Sequence, residues 1–387
     1  MDNKLKVLHI ASFNGNIGDN ANHNGFYYLF KKNITDNVEF DQLEMRRFYF
    51  SWNDKKFDES FAKKANRYDL VVFGGGNFFD ITWPDSATGT TIDIQKLILE
   101  KIDTPIFFNA LGLGYGIDKN FNEKAVDKFK AFLDYITNND QFFVTLRNDG
   151  SYENLEKLYG AQYLDRIYEI PDNGFFIQTG DYDHSLFTNG YKSIGINLVY
   201  DGKENRFPND ITYKEFVNKF ALIVEDFLKE HKDYQVIFFP HIYNDIFTIN
   251  NAIENIDDKI RRYRIKIAPY LSGQGVEKYI FSLYEECDLI MGMRFHSNVV
   301  AIGRNIPSIG LATNHYRVPS LYSKLGIEDR FVRVNMKKYN KKLKRLFINE
   351  FRSNYDNLKL TSTLSKKSNQ QYKKIKRWLE INRVLNV

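Results

Sequence analysis

At 387 residues, 43% of them hydrophobic, the chain is longer than one core supports, so two domains are expected. No apolar run approaches the ~20 residues of a membrane-spanning helix, and the single cysteine, Cys287, excludes an intrachain disulfide and a cysteine-based zinc site and reads as a core residue. The net charge of +5 is uneven: from Lys337 onward 15 Lys and Arg face 3 Asp and Glu, a local +12 that leaves −7 for the first 336 residues.

The N-terminus passes from polar residues directly into "KVLHIASF", without the longer apolar region of a signal peptide, so a cytoplasmic protein is expected. Further β-rich apolar runs follow in order: "DLVVFGGG", "TPIFFNALGLG", "FFVTLR", "SIGINLVY", "YQVIFFPHI", "DLIMGMRF" and "IPSIGL". Between them lie helical patterns such as "NEKAVDKFKAFLDYIT" and "YKEFVNKFALIVEDFLKEH". Apolar strands alternating with helices predict parallel sheets of βαβ units. The polar interval "QTGDYDHSLFTNGYK" separates two such series. This gives an N-terminal Rossmann-like domain at 1–183, a C-terminal one at 184–335 and a basic helical tail at 336–387. The expected fold is α/β, with two doubly wound Rossmann-like domains facing a cleft and functional loops at the C-terminal strand ends.

Several of those ends carry candidate chemistry. "NGNIGDNANHNG" follows the first strand; Gly15 and Gly18 allow tight turns and close ligand approach, and Asp19 falls near a helix start. It lacks the Gly-Lys-Ser/Thr ending of a phosphate-binding P-loop. In "VVFGGGNFFD", three glycines including Gly75 and Gly76 are expensive to order, and Asn77 is a possible ligand donor; a bulge or tight turn accounts for them equally well. Arg147 ends "FFVTLR", with Asp149 near enough to be its salt-bridge partner. His241 and Asp245 in "FFPHIYND" have a helical metal spacing, but the stretch reads as a loop, so no metal is expected. In "MGMRFHSNVVAIG" an extended segment would put Arg294 and His296 on one face, with Phe295 turned inward and Ser297 capping a short helix. That combination suits an anionic ligand. His315 and Arg317 lie beyond the next strand.

Taken in order, "GNIGDNA", "VVFGGGNFF", "TLRNDGS" and "MGMRFHSNVVAIGRNIPSIGL" resemble the polysaccharide pyruvyl transferase family, over roughly residues 5 to 330. The resemblance implies a two-domain, glycosyltransferase-B-like enzyme of cell-surface polysaccharide biosynthesis. Such an enzyme moves the pyruvyl group of phosphoenolpyruvate onto a sugar of a polysaccharide, glycan or lipid-linked precursor as a ketal, releasing phosphate. It implies that Arg147, Arg294 and His296 bind the donor and carry catalysis, with His296 as general acid. The substrate-binding candidates are Gly15, Asn16, Asp19, Gly75, Gly76, Asn77, His241 and Arg317, the last standing nearest to a lysine some members use. Phe295 stands where Leu is usual and Asn20 where Glu is common.

No cofactor or metal is expected; phosphoenolpyruvate is a co-substrate. The expected partners are that donor and a glycan acceptor; the basic tail reads either as a solvated Lys-rich terminal helix or as a surface for the inner face of a membrane. No nucleic-acid module accompanies the tail's aromatics. Two other readings use the same residues: a glycosyltransferase with a nucleotide-sugar donor, and a non-catalytic glycan- or partner-binding protein.

Overall fold

The computed structural model describes residues 4–49, 52, 54–114, 122–208, 210–350 and 357–385. The chain forms two compact units, one of residues 1–13, 22–173 and 363–387 and another of 14–21 and 174–362.

The first unit contains strands β1 (Leu5–Ala11), β2 (Val38–Glu44), β3 (Leu70–Gly74), β4 (Phe79–Asp80), β5 (Ile106–Leu111), β6 (Leu113–Gly114), β7 (Phe142–Arg147) and β8 (Ile167–Ile170). Six form one sheet in the order β2-β1-β3-β5-β7-β8, while β4 pairs with β6. Every pairing is parallel. Strands β3, β5 and β7 are buried along their whole length, as two-sided cover by helices demands. Helix Glu123–Thr137 is started by Asn122, whose side chain accepts from the Ala125 N–H, and it buries Phe129, Phe132 and Leu133 against the sheet aromatics Phe79 and Phe108.

The second unit repeats the plan with β9 (Lys192–Asn197), β10 (Tyr234–Phe238), β11 (Ile265–Ile267), β12 (Leu289–Gly292), β13 (Ser308–Ala312) and β14 (Phe331–Arg333), ordered β11-β10-β9-β12-β13-β14 and all parallel. Helix Tyr213–Glu230 opens with a capping box between Thr212 and Glu215 and buries Phe216, Phe220, Val224 and Phe227. The segment 14–21 belongs here because Ile17 and Ala21 are buried among Ile237, Phe239, Phe281 and Tyr284.

The units differ from the expected division at 183/184 with a separate tail. Helix Tyr339–Glu350 packs on the second unit, where the Tyr339 hydroxyl donates to the Phe216 carbonyl and Phe347 lies on Phe227. Helix Leu358–Ile381 buries Tyr372, Ile375, Trp378 and Leu379; Trp378 donates to the Asp140 carbonyl and contacts Phe107 and Phe143 of the first unit. Cys287 is buried, and burial pushes its thiol pKa up, as befits a core residue.

Candidate active site

In the first unit the polar residues gather at the carboxyl ends of the strands. Strand β5 is irregular between Phe108 and Leu111, with Ala110 at φ 47°, and the fully buried Asn109 sits in that kink. Arg147, at the end of β7, is 1% exposed. Its Nε donates to Asp149 Oδ2 at 2.7 Å, and Asp172 lies 3.6 Å from its Nη1. Asp149 also accepts from the Ser151 backbone N–H and hydroxyl. Gly112 packs closely on this site: a Cβ there would lie 2.5 Å from Asn77 Oδ1 and 2.8 Å from Arg147 Nη2, so these side-chain ends would have to move. Gly75 has φ +77°, and a Cβ would meet Asn22 and His23. The triple glycine is thus required by packing of the chain on itself. Asn22 Nδ2, Asn77 Oδ1, both amide atoms of Asn109 and Asn173 Oδ1 are buried with no hydrogen bond among the described residues. Such groups are costly unless a water or ligand meets them.

In the second unit the expected geometry of the "MRFHS" segment is corrected. The helix is Phe295–Gly303, and Arg294 is its N-cap at φ −80°, ψ 144°. His296 therefore lies in the first helical turn while Arg294 stays outside it as the extended cap, and the charges of both bear on His241. Ser297 lies inside the helix, its hydroxyl 3.0 Å from the Tyr284 hydroxyl. The cause is the chain before it: Asn197 Oδ1 accepts from the Arg294 N–H, and Asn298 donates to the carbonyls of Gly292 and Arg294.

The Arg294 guanidinium is held by two carboxylates. Its Nε donates to Asp245 Oδ2 at 2.7 Å, its Nη2 to Asp245 Oδ1 at 2.5 Å, and Nη2 also to Asp201 Oδ1. Asp201 in turn takes Arg206 Nη2 at 3.1 Å. Burial pushes the Asp201 carboxyl up, but Arg294 and Arg206 overcome it and bring its pKa to about 2. Burial likewise pulls Arg294 down, yet Asp245 and Asp201 raise it overall. The Nη1 end of the fork makes no hydrogen bond among the described residues, so a fixed cation keeps donors for an anion.

His296 Nδ1 lies 3.8 Å from Asp19 Oδ1. The loop carrying Asp19 lies against the imidazole: a Cβ on Gly18 would be 2.6 Å from His296 Cβ and 2.7 Å from Nδ1. The loop is shaped by Gly15 at φ +99° and by Asn16, whose side chain accepts from the Gly18 N–H. Asn20 donates to the Gly273 carbonyl. His241 is fully buried, with Nε2 2.8 Å from the Tyr284 hydroxyl, and its carbonyl accepts from Ile17. Burial, then the charges of Arg294 and His296, hold its pKa well below the usual value. Asp245, four residues on, starts helix Asp245–Ile253 and accepts from the His241 and Ile242 N–H groups. The pair is therefore a loop clamp, and no metal-binding group of three His, Cys, Asp or Glu occurs among the described residues. Arg317 begins helix Arg317–Lys324; burial lowers the pKa of Arg206, and the nearby charges of Arg294 and Arg317 add to it.

One unit thus contains Gly15, Asn16, Asp19, His241, Arg294, His296 and Arg317, and the other Gly75, Gly76, Asn77 and Arg147. Sequence reasoning read Gly18 as a close-approach glycine without its neighbour His296, and missed Asp201 and Arg206 as the charge network, and Asn22, Asn109 and Asn173. Asn109 had a signal, a lone amide inside the apolar "IFFNAL".

Two six-stranded parallel sheets with polar strand ends define a Rossmann-like α/β protein of the glycosyltransferase-B-like class. Solved structures similar to it include the UDP-GlcNAc 2-epimerase of Methanocaldococcus jannaschii, at 13% identity and TM-score 0.53 over 94% of this chain and 100% of that one. Another is S. aureus MnaA with UDP, at 12% identity and TM-score 0.50 over 89% of each chain. No curated protein sequence matches the chain. The family model for polysaccharide pyruvyl transferase matches residues 16–315, and the chain belongs to that family.

Proposed function

We propose that the chain transfers the pyruvyl group of phosphoenolpyruvate to two hydroxyls of a glycan as a cyclic ketal, releasing phosphate, in cell-surface polysaccharide biosynthesis. The observation that carries this reading is the second unit's pairing of a carboxylate-fixed Arg294 with His296, in the first turn of its helix and beside Asp19. Arg294 binds the donor's negative charge through its Nη1 end, aided by the helix N-terminus. His296 gives a proton to the methylene carbon, leaving the phosphate-bearing carbon electrophilic. One sugar hydroxyl adds there, the carbon–oxygen bond to phosphate breaks, and the second hydroxyl closes the ketal. Of the two hydroxyl protons, one restores His296 and one leaves with phosphate. Asp19 orients the imidazole or takes a hydroxyl proton. No resident metal or cofactor enters these steps.

The test is thermal stabilisation of the chain by phosphoenolpyruvate and by nucleotide sugars. Stabilisation by the first alone fits the proposal; stabilisation by nucleotide sugars alone fits a glycosyltransferase and overturns it.

Peripheral membrane contact forms part of this reading. Lys366, Lys367, Lys373, Lys374, Lys376 and Arg377 are exposed on the helix whose other face buries Tyr372 and Trp378. Each cation near an anionic surface is worth about 1 kcal/mol, so this face would hold the enzyme against acidic headgroups. Among the described residues no helix is long and apolar enough to cross a membrane.

A further inference from the structure

The first unit contains a cavity of about 230 Å³ lined by Tyr49, Trp83, Asp85, Thr90, Thr91 and Asp93 among others. Tyr49 follows the end of β2 and the Thr82–Asp93 loop follows β4, so the cavity sits by the carboxyl ends of the strands, where open parallel sheets bind ligands. Its loop is held in shape by its own hydrogen bonds. The Thr88 hydroxyl lies 2.8 Å from that of Thr90 and donates to the Ile92 carbonyl, Thr91 donates to the Phe78 carbonyl, and Asp93 accepts from the Ala87 N–H. Lys128 is occupied with the carbonyls of Pro84 and Ser86.

Inside this frame one group is unsatisfied. The Trp83 indole N–H is buried and makes no hydrogen bond among the described residues, although it is a donor that seeks an acceptor when removed from water. Its ring lies 5.8 Å from that of Tyr49, at 53°. An aromatic wall, an unmet donor, threonine hydroxyls and the carboxylates of Asp85 and Asp93 make an amphipathic pocket. Its ligand needs an apolar face to lie on a ring and hydroxyls to meet donors and acceptors at its edge. A pyranose has both. The volume lies below the roughly 300–1,000 Å³ of sites for drug-sized ligands, which suits one ring. Asp85 is exposed and paired with Lys124 at 3.6 Å, so the carboxylate that disfavours an acidic sugar is that of Asp93.

The geometry points to this pocket as a subsite for one uncharged pyranose of the glycan acceptor. It rests on the pyruvyl-transfer reading for the word acceptor, but the binding itself does not. Binding is read on the full chain by saturation-transfer NMR with methyl glucoside, galactoside, mannoside and N-acetylglucosaminide, with methyl glucuronide as the acidic counterpart. At least one uncharged glycoside is expected to bind and the glucuronide to bind more weakly. Trp83→Phe keeps the ring and removes the N–H; together with Asp93→Asn it is expected to weaken binding about tenfold while the unfolding midpoint stays near that of the parent. Absence of binding by all uncharged glycosides, equal binding of the glucuronide, or unchanged binding in both variants overturns the subsite. Because no donor is present, failure of pyruvyl transfer to every acceptor leaves a positive binding result standing. Transfer with an unchanged acceptor KM in Trp83→Phe and Asp93→Asn would instead remove the subsite and keep the reaction.

Discussion

Asp245→Asn tests whether the Arg294 guanidinium is held as described. Asp245 has a fully buried side chain, while that of Arg294 is 13% exposed. Breaking a buried pair costs about 3–5 kcal/mol, because the surviving charge is left without its partner. Two features moderate this. Asp201 still takes one edge of the guanidinium, and an asparagine oxygen at the Oδ2 position can still accept from Arg294 Nε and the His241 and Ile242 N–H groups. The loss is then one charge-assisted bond plus an amide N–H₂ facing a guanidinium, about 3 kcal/mol. For a unit of roughly 150–250 residues, 1 kcal/mol moves Tm by about 2–4 °C, so the second unit's transition should fall by roughly 6–12 °C. Calorimetry, which separates the transitions of two units, provides the assay. Adding Arg294→Met removes the stranded charge and should recover part of the loss. A single variant within about 1 kcal/mol of the parent, or a double variant with simply additive loss, would refute the clamp.

The other predictions follow the same structure. Gly18→Ala should displace the Asp19 loop from His296, lowering kcat with little change in stability of the first unit; pyruvyl transfer at the parental rate would show that the loop contact is dispensable. His9 in the first unit and His241 in the second are both held well below the usual histidine pKa, chiefly by burial. Below about pH 6.5 the unfolded chain binds the proton that each folded site refuses, so stability falls with falling pH by about 1.4 kcal/mol per pH unit in each unit. Urea midpoints between pH 7.5 and 5.5 measure this, and His241→Gln should flatten only the second unit's response. Asp201, with its pKa at about 2, adds its own loss only at more acidic pH, as its carboxylate protonates. Binding to vesicles of anionic phospholipid should fall with added salt and with Lys373→Glu/Lys374→Glu, whereas neutral vesicles should not bind.

The strands that were legible in the sequence are the four inner strands of each sheet, β1, β3, β5 and β7, then β9, β10, β12 and β13. Covered on both faces, they are apolar over most of their length, and that continuous run is their signal. The four edges, "VEFDQLE", "IYEI", "IKI" and "FVR", carry charge, as edges do to avoid mispairing, and three of them are short, and so gave no apolar run. The Arg147–Asp149 pair was legible because its partners lie two residues apart. The Arg294 clamp was not, since its carboxylates come from 49 and 93 residues away. Local spacing suggested an extended Arg-x-His face. The bonds from Asn197 and Asn298 begin the helix at Phe295 instead, and only the fold brings those groups together. The tail was read from its lysines, while the buried stripe of Tyr372, Ile375 and Trp378 ties it to the first unit.

The most direct measurement of the central claim follows phosphate release and product mass when the chain is given phosphoenolpyruvate and a set of glycans, for the parent and for His296→Ala. The parent should release phosphate in step with a glycan heavier by one pyruvate less one water. The variant should lose roughly 10²–10⁴-fold of that rate while still being stabilised by phosphoenolpyruvate. Ketal formation by His296→Ala at the parental rate would contradict the account.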